Sequence, residues 1–126
     1  MPFVKIMIDK SIVNENKKVI SNSIHNSLIE CFNIPIKDKF QVFIDVDKEN
    51  LVFPDEYLGN SYSNILFIYI TCKGGRTNEQ KRKLYELCAK SICEKTKIKK
   101  DDIFITIVES DQNNWSFGNG IAQLME

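Results

Sequence analysis

Pro2, directly after Met1, is the first residue in the sequence whose type and position could support catalysis. Because proline is small, Met1 is expected to be removed, which would leave Pro2 with a free secondary amine. The pKa of an α-amino group is about 8 in model peptides, and burial among apolar residues or a nearby cation lowers it toward neutrality. Pro2 is therefore predicted to act as a general base. The structural alternative is that Pro2 only begins an edge strand, where it need not donate a hydrogen bond.

A possible carboxylate-binding site lies in the segment KGGRTNEQK, residues 73–81. Gly74 and Gly75 allow a sharp turn, and Thr77 with Gln80 forms the pattern of a helix capping box. A helix N-terminus presents free backbone amides, and a guanidinium beside it can bind a carboxylate through two hydrogen bonds. Arg76 is thus a candidate anion-binding residue, although it could also be a solvated residue of the first turn. The segment lacks the lysine of a phosphate-binding loop, which argues against nucleotide binding.

Three further residues are candidates for the same site. Asp38 lies in the turn NIPIKDKF before a predicted strand, where an aspartate usually bonds the local backbone. Parallel pairing of the first two strands would bring Asp38 toward Pro2 and would favour a role in chemistry. Trp115 and Phe117 in the tail could be ordinary packing residues or the apolar wall of a pocket.

Other kinds of site are not indicated by the composition. The single histidine, His25, is predicted to lie on the flank of a helix, and no C-x-x-C pair occurs, so neither a metal site nor a Ser/His/Asp triad is expected. The four cysteines are interpreted as core-filling thiols: Cys31, Cys72, Cys88 and Cys93.

Charge and hydropathy limit the possible partners and location. Lys and Arg together number 17, as do Asp and Glu, so no overall field favours nucleic acid or an anionic membrane. No apolar run approaches the roughly 18 residues of a membrane span, and the N-terminus lacks the pattern of a secretory leader. The protein is expected to be soluble and cytoplasmic, with reduced thiols.

Two β-α-β units are predicted, at about residues 2–46 and 64–108. Their helices run from about Asn14 to Phe32 and from about Thr77 to Lys95, each with one apolar stripe. The segments NENKK and NEQKR match between the units and suggest a duplication. Right-handed crossovers would give a four-stranded sheet with both helices on one face. The strands NILFIYI and IFITIV are nearly continuously apolar, so a closed homo-oligomer is expected to cover the other face.

The remaining segments are a connecting loop at 47–63 and a C-terminal arm at 109–126. The arm has two glycines among aromatic residues, which suits a short hairpin or an arm that packs on a neighbouring subunit. The whole chain, 1–126, is expected to be one α+β domain, because its length leaves no room for a second core.

Four segments together resemble the tautomerase superfamily, which includes oxalocrotonate tautomerase and proteins like macrophage migration inhibitory factor: MPFVKI, FNIPIKDKFQV, GRTNEQK and NWSFGNGIAQ. The similarity covers nearly the whole chain and points to the long-chain branch that includes malonate semialdehyde decarboxylase. It implies a β-α-β-β-α-β subunit assembled as a homotrimer. It also implies that Pro2 is the catalytic amine, Arg76 the carboxylate-binding arginine and Asp38 the aspartate of the decarboxylase branch. Trp115 and Phe117 would be the apolar wall.

The chain departs from this family pattern at two places. The decarboxylases carry a second arginine two residues before the first, where this chain has Gly74 with Lys73 beside it, and this argues against decarboxylation. Lys73 is therefore included among the candidate substrate-binding residues. Asn113 and Asn114 stand where dehalogenating members are expected to have an acidic residue, so dehalogenation is disfavoured.

The function predicted from these residues is keto-enol tautomerisation of a small 2-keto or 2-hydroxydienoate acid, with Pro2 as base and no cofactor. Two alternatives remain. One is a lyase that decarboxylates a 3-oxo acid such as malonate semialdehyde, and the other is a trimeric scaffold without enzymatic activity.

Overall fold

The computed structural model describes residues 1–125, and its elements follow the predicted order. Strand β1 (Phe3–Asp9), helix α1 (Lys10–Phe32) and strand β2 (Phe40–Val46) form the first unit. Two short strands, β3 (Glu56–Tyr57) and β4 (Asn60–Ser61), form a hairpin in the connection. The second unit consists of strand β5 (Leu66–Lys73), helix α2 (Asn78–Lys95) and strand β6 (Ile103–Ser110).

The four long strands form one mixed sheet in the order β2-β1-β5-β6. Strands β1 and β2 are parallel, β5 and β6 are parallel, and the two central strands run antiparallel to each other. Each helix therefore crosses between two parallel strands, and both helices pack on the same face of the sheet and on each other. The predicted fold class is confirmed: α+β, with duplicated β-α-β units and two helices on one face of a four-stranded mixed sheet.

Side-chain chemistry at the helix ends explains where the helices begin. Asp9 caps α1 by accepting hydrogen bonds at 3.0 Å from the backbone N–H and the hydroxyl of Ser11, and the helix starts earlier than the predicted Asn14. Thr77 and Gln80 form the predicted capping box of α2. Neither helix within residues 1–125 is long and apolar enough to cross a membrane.

The core lies between the sheet and the helices. Alternate residues of β1 and β5, such as Ile6 and Ile68, point at the apolar stripes of α1 and α2, which contribute Leu28 and Leu84. All four side chains are at most 1% exposed, and each contributes about 1.5–3 kcal/mol by its burial. Because this core secures the two central strands, their ends are held in a defined position.

Within residues 1–125 no helix packs on the opposite face of the sheet. The register places alternate side chains of all four strands on it, and most of them are apolar or aromatic. The most exposed apolar ones are Phe40 (51%), Ile44 (41%), Phe104 and Val108 (40% each) and Val42 (39%). We call these five residues the open sheet face. An apolar surface of this kind is typical of an interface between subunits.

The connecting segment and the tail differ in part from the predictions. The segment 47–63 contains the β3-β4 hairpin, whose turn has Leu58 at φ 48° and Gly59 at φ 86°. The expectation of a hairpin in the tail is wrong, since residues 111–125 contain only one short 3-10 turn at Gln112–Asn114 and further turns. The aromatic rings of the tail pack beside Pro2 and Phe40. Packing of the tail on a neighbouring subunit, the other predicted arrangement, stays a prediction.

Candidate active site

The sheet topology brings the candidate residues to one edge. Phe3 pairs with Phe40 of β2 on one side and with Thr71 of β5 on the other. The starts of β1 and β2 therefore lie at the same edge as the ends of β5 and β6, where Lys73 pairs with Ser110. Residues from five separate parts of the sequence surround this edge: the N-terminus, the turn at 33–39, the loop at 73–77, the end of β6 and the tail.

The side chain of Asp38 contacts the N-terminus of the chain. Its Oδ2 accepts a hydrogen bond at 2.8 Å from the N-terminal ammonium of Met1, and both side chains are about one-quarter exposed. Pro2 itself is buried and has its nitrogen in the peptide bond to Met1. The parallel pairing of β1 and β2 thus places a carboxylate beside the chain start, as the sequence predicted.

His25 has a different environment from the one predicted. The sequence placed it on the flank of α1, but it is only 5% exposed. Its Nε2 donates a 2.7 Å hydrogen bond to the carbonyl of Ile36. Ile36 belongs to the turn that carries Asp38, so this hydrogen bond ties the turn to α1. His25 therefore helps to hold the turn in which Asp38 lies.

Aromatic residues form one wall of a cavity at Pro2. The cavity has a volume of about 230 Å³ and is lined by Met1, Pro2, Phe3, Phe40, Trp115, Ser116 and Phe117. The rings of Trp115 and Phe117 stack with centroids 5.6 Å apart, and Phe117 lies 6.5 Å from Phe40. Trp115 Nε1 donates a 2.8 Å hydrogen bond to Ser110 Oγ at the end of β6. The aromatic wall is thus held to β2 through Phe40 and to β6 through Ser110.

Gln123 closes the loop that follows Phe117. Its Oε1 accepts a hydrogen bond at 2.9 Å from the Phe117 N–H, and its Nε2 donates one at 3.1 Å to the Gly118 carbonyl. Between these contacts, Gly118, Asn119 and Gly120 all have positive φ (130°, 60° and 68°). Such a backbone favours glycine, which explains the two glycines of the tail.

Arg76 lies at the same edge but does not line the Pro2 cavity. Its Nη1 donates a 2.8 Å hydrogen bond to the carbonyl of Lys73, and its guanidinium lies 5.1 Å above the ring of Phe32. Lys73 lines a neighbouring cleft of about 510 Å³, together with Gly74, Gly75, Ser110 and the start of the tail. The structure therefore groups Pro2 with Asp38, Trp115 and Phe117, and keeps the two cations in the adjacent loop.

Glu109 and Lys81 are charged residues of this region that the sequence did not single out. Lys81 Nζ lies 2.7 Å from Glu109 Oε1, and the Gly75 N–H donates a 3.2 Å hydrogen bond to Glu109 Oε2. These two hydrogen bonds, first that of Lys81 and then that of Gly75, lower the pKa of Glu109 below its ordinary value, and the Lys81 pKa is raised by the same pair. Glu109 is therefore ionised at neutral pH.

The thiols offer no nucleophile to the site. One residue beyond the paired positions, Cys72 lies opposite Pro2 on β5, and it is 2% exposed. Burial raises the pKa of Cys72, and it raises the pKa of Cys88 to about 12. Both thiols stay protonated at neutral pH and fill the core as the sequence predicted, whereas Cys31 and Cys93 are only partly buried.

The residues that the sequence missed have weak local signatures. Phe40 is the first residue of a strand, Gln123 is one amide in an irregular tail, and Glu109 lies near the end of the mostly apolar strand β6. Lys81 is a helical residue in a charged stretch. Only the alignment of β6 with β5, which sets Glu109 beside Cys72, could have indicated that Glu109 approaches the loop of Arg76.

Comparisons with known proteins agree with this architecture. Two protein-family models, both described as tautomerase enzyme, match the chain, one over residues 38–118 and the other over residues 2–61. The probable tautomerase YusQ of Bacillus subtilis (strain 168) is 35% identical over the full length of both chains. The crystal structure of FG41 malonate semialdehyde decarboxylase inhibited by 3-bromopropiolate is 28% identical and has a TM-score of 0.90, with 98% of this chain and 94% of that chain covered. A symmetric trimer of wild-type fused 4-OT has the same fold at 11% identity, with a TM-score of 0.79 and 98% of both chains covered.

Proposed function

Because the chain belongs to the tautomerase family of enzymes, which confirms the resemblance found in its sequence, we propose that it isomerises a small 2-keto or 2-hydroxydienoate acid between enol and keto forms. The observation that carries this proposal is the position of Pro2. Pro2 is buried and lines a cavity with an aromatic wall. The residue before it, Met1, has its ammonium 2.8 Å from Asp38 Oδ2. Removal of Met1 would convert the Pro2 nitrogen from an amide into a basic secondary amine.

In the proposed reaction, Pro2 transfers one proton. Its neutral amine accepts the hydroxyl proton of the enol as the C–O bond becomes a carbonyl, and the resulting ammonium donates a proton to carbon at the 3 or 5 position. Trp115 and Phe117 exclude water, which disfavours the charged amine before reaction. Asp38 acts in the opposite sense, since its carboxylate stabilises the protonated amine and orients it.

Arg76 is proposed to bind the carboxylate of the substrate. Within residues 1–125 no carboxylate lies within ion-pair distance of its guanidinium, which bonds only to a backbone carbonyl and stacks on Phe32. The guanidinium can therefore pair with the carboxylate of a ligand. A rotation of the long side chain would turn it toward the end of the sheet that holds Pro2. Lys73 lines the adjacent cleft and would add a second positive charge.

We also propose that the functional unit is a homotrimer. The open sheet face leaves five apolar side chains about 40–50% exposed, and a symmetric arrangement of three subunits would cover it. Sedimentation equilibrium measures the mass of the assembly, and a monomer at micromolar concentration would contradict this part of the proposal.

Decarboxylation of malonate semialdehyde is a second candidate function. It is favoured by the close structural similarity to FG41 malonate semialdehyde decarboxylase. In that reaction a protonated Pro2 would polarise the carbonyl of the 3-oxo acid. Gly74 counts against it, since no second arginine is available there. Release of carbon dioxide from malonate semialdehyde distinguishes this activity from tautomerisation.

The decisive experiment is ketonisation of the enol form of phenylpyruvate by protein whose intact mass shows that Met1 is absent. The same sequence with Met1 retained should be inactive, because its Pro2 nitrogen is an amide. Pro2→Ala should lower kcat/KM at least about a hundredfold, as expected for loss of a general base. Pro54→Ala, in the exposed connecting segment, is the matched proline control and should behave as the wild type.

Equal activity with and without Met1 would exclude Pro2 as the base. If neither ketonisation nor release of carbon dioxide can be measured with processed protein, the scaffold function remains, and the aromatic cavity would then be a binding site only.

A further inference from the structure

Glu109 fills the space beside Gly74. A Cβ added at Gly74 would lie 3.2 Å from Glu109 Oε2 and 3.8 Å from its Cβ. The same oxygen accepts the hydrogen bond from the Gly75 N–H, and the other oxygen pairs with Lys81. The position where the related decarboxylases would have a second arginine is thus occupied here by a carboxylate and a glycine that leaves room for it.

This carboxylate changes the electrostatics of the loop that carries Arg76. Glu109 is close enough to Arg76 that the guanidinium contributes to lowering its pKa, although the two groups form no ion pair. Lys81 is held at 2.7 Å and neutralises part of the charge. The loop therefore presents the cations Arg76 and Lys73 against a fixed negative charge, where a second arginine would have added a further positive one.

We propose that Glu109 is a specificity-determining residue that restricts the site to substrates with a single carboxylate. This inference rests on the proposed role of Arg76 as the carboxylate-binding group. Arg76 supplies one guanidinium, which can bind one carboxylate through two hydrogen bonds. Glu109 accepts a hydrogen bond from the N–H of Gly75, the residue directly before Arg76. A second carboxylate on a small molecule held by Arg76 would therefore experience the negative charge of Glu109, and like charges repel each other.

The test compares two ligands that differ only in the second carboxylate. These are 2-oxopentanoate, with one carboxylate, and 2-oxopentanedioate, which has the same five-carbon chain with two. Binding is measured at low ionic strength by the fluorescence of Trp115, the only tryptophan in the sequence, which lines the Pro2 cavity. The wild type should bind the monocarboxylate more tightly.

Two substitutions should move the preference in opposite directions. Glu109→Gln keeps the shape and removes the charge, and should shift the ratio of the two Kd values about threefold to tenfold toward the dicarboxylate. Lys81→Met removes the compensating cation and should shift the ratio by a similar factor toward the monocarboxylate. Asp47→Asn is the matched control: it removes one carboxylate from an exposed pair with Lys10, at 2.8 Å, at the other end of the sheet, and should leave the ratio unchanged.

An unchanged ratio in Glu109→Gln overturns the inference, as does an equal shift in Asp47→Asn. Ketonisation of the phenylpyruvate enol is measured on the same protein samples. If that activity is present while the ratio is unaffected, the proposed function stands and the inference fails. If the ratio shifts as expected in protein that shows no ketonisation, the site selects single carboxylates and the proposed reaction fails.

Discussion

The two β-α-β units share a topology, yet their strand-to-helix junctions differ. In the first unit β1 ends at Asp9 and α1 begins at Lys10, so that Asp9 is itself the N-cap. In the second unit residues 74–77 separate β5 from α2, and Gly75 has φ 112°. The first junction is a direct turn from strand to helix, whereas the second is a four-residue loop that carries Arg76.

The antiparallel pairing of β1 and β5 separates the two strand-to-helix junctions in space. It places them at opposite ends of the sheet. The edge that holds Pro2 therefore receives the beginning of the first unit and the junction of the second. The duplicated units thus contribute two different segments to the candidate site.

The aspartates before β2 and β6 also differ between the two units. Asp38, before β2, faces the N-terminus and is about one-quarter exposed. Asp102, before β6, is 2% exposed and accepts hydrogen bonds from the Ser63 N–H at 2.8 Å and the Ser63 hydroxyl at 3.2 Å. The first aspartate is available for chemistry, and the second anchors the connecting segment.

The largest effect expected from this comparison is the difference between replacing Arg76 at the second junction and replacing Lys10 at the first. Arg76→Ala should raise KM about tenfold to 150-fold, equivalent to about 1.5–3 kcal/mol for a lost hydrogen bond to a charged group. Lys10→Ala, at the first junction, should leave KM unchanged, because Lys10 pairs only with Asp47. Steady-state kinetics with the phenylpyruvate enol measure both variants. An unchanged KM in Arg76→Ala would rule out its assigned role.

A smaller effect should separate the two aspartates. Asp102→Asn keeps an acceptor for Ser63 but loses the charge, and should lower the free energy of unfolding by about 1 kcal/mol without changing kcat per folded molecule. Asp38→Asn should do the reverse and lower kcat with little change in stability. Urea denaturation and initial rates measure the two quantities. The division of tasks is wrong if Asp102→Asn lowers kcat while Asp38→Asn does not.

The smallest expected effect is the pH dependence of the Glu109 contribution. The hydrogen bonds from Lys81 and Gly75 lower the pKa of Glu109 from its ordinary value of 4.5, so its stabilisation is present above that value and is lost as pH falls through the lower, folded-state pKa. Glu109→Gln should therefore have a lower Tm than the wild type at pH 7, and the gap should narrow as the pH falls below 4.5. A pH series of thermal melts measures the gap. A gap of the same size across the whole acidic series would show that Glu109 stabilises the protein by packing instead.

Several parts of the site could be read from local patterns. The capping box at Thr77 and Gln80 and the parallel pairing that brings Asp38 to the chain start both follow from rules about adjacent residues and strands. The tail was predicted less well. Its irregular path depends on two hydrogen bonds from the side chain of Gln123 and on the stacking of Trp115, which leave no periodic pattern in the sequence.

By itself, the sequence determined the α+β class, the two β-α-β units, the uncovered apolar face and the family, because these depend on periodicity, capping and segments that stay together along the chain. Only the tertiary structure decided that Arg76 stacks on Phe32 apart from the Pro2 cavity, that His25 supports the Asp38 turn, and that Glu109 lies against Gly74. These contacts join residues that are distant in the chain. Their formation depends on which side chains the sheet register and the helix packing bring together, and no local sequence pattern encodes that.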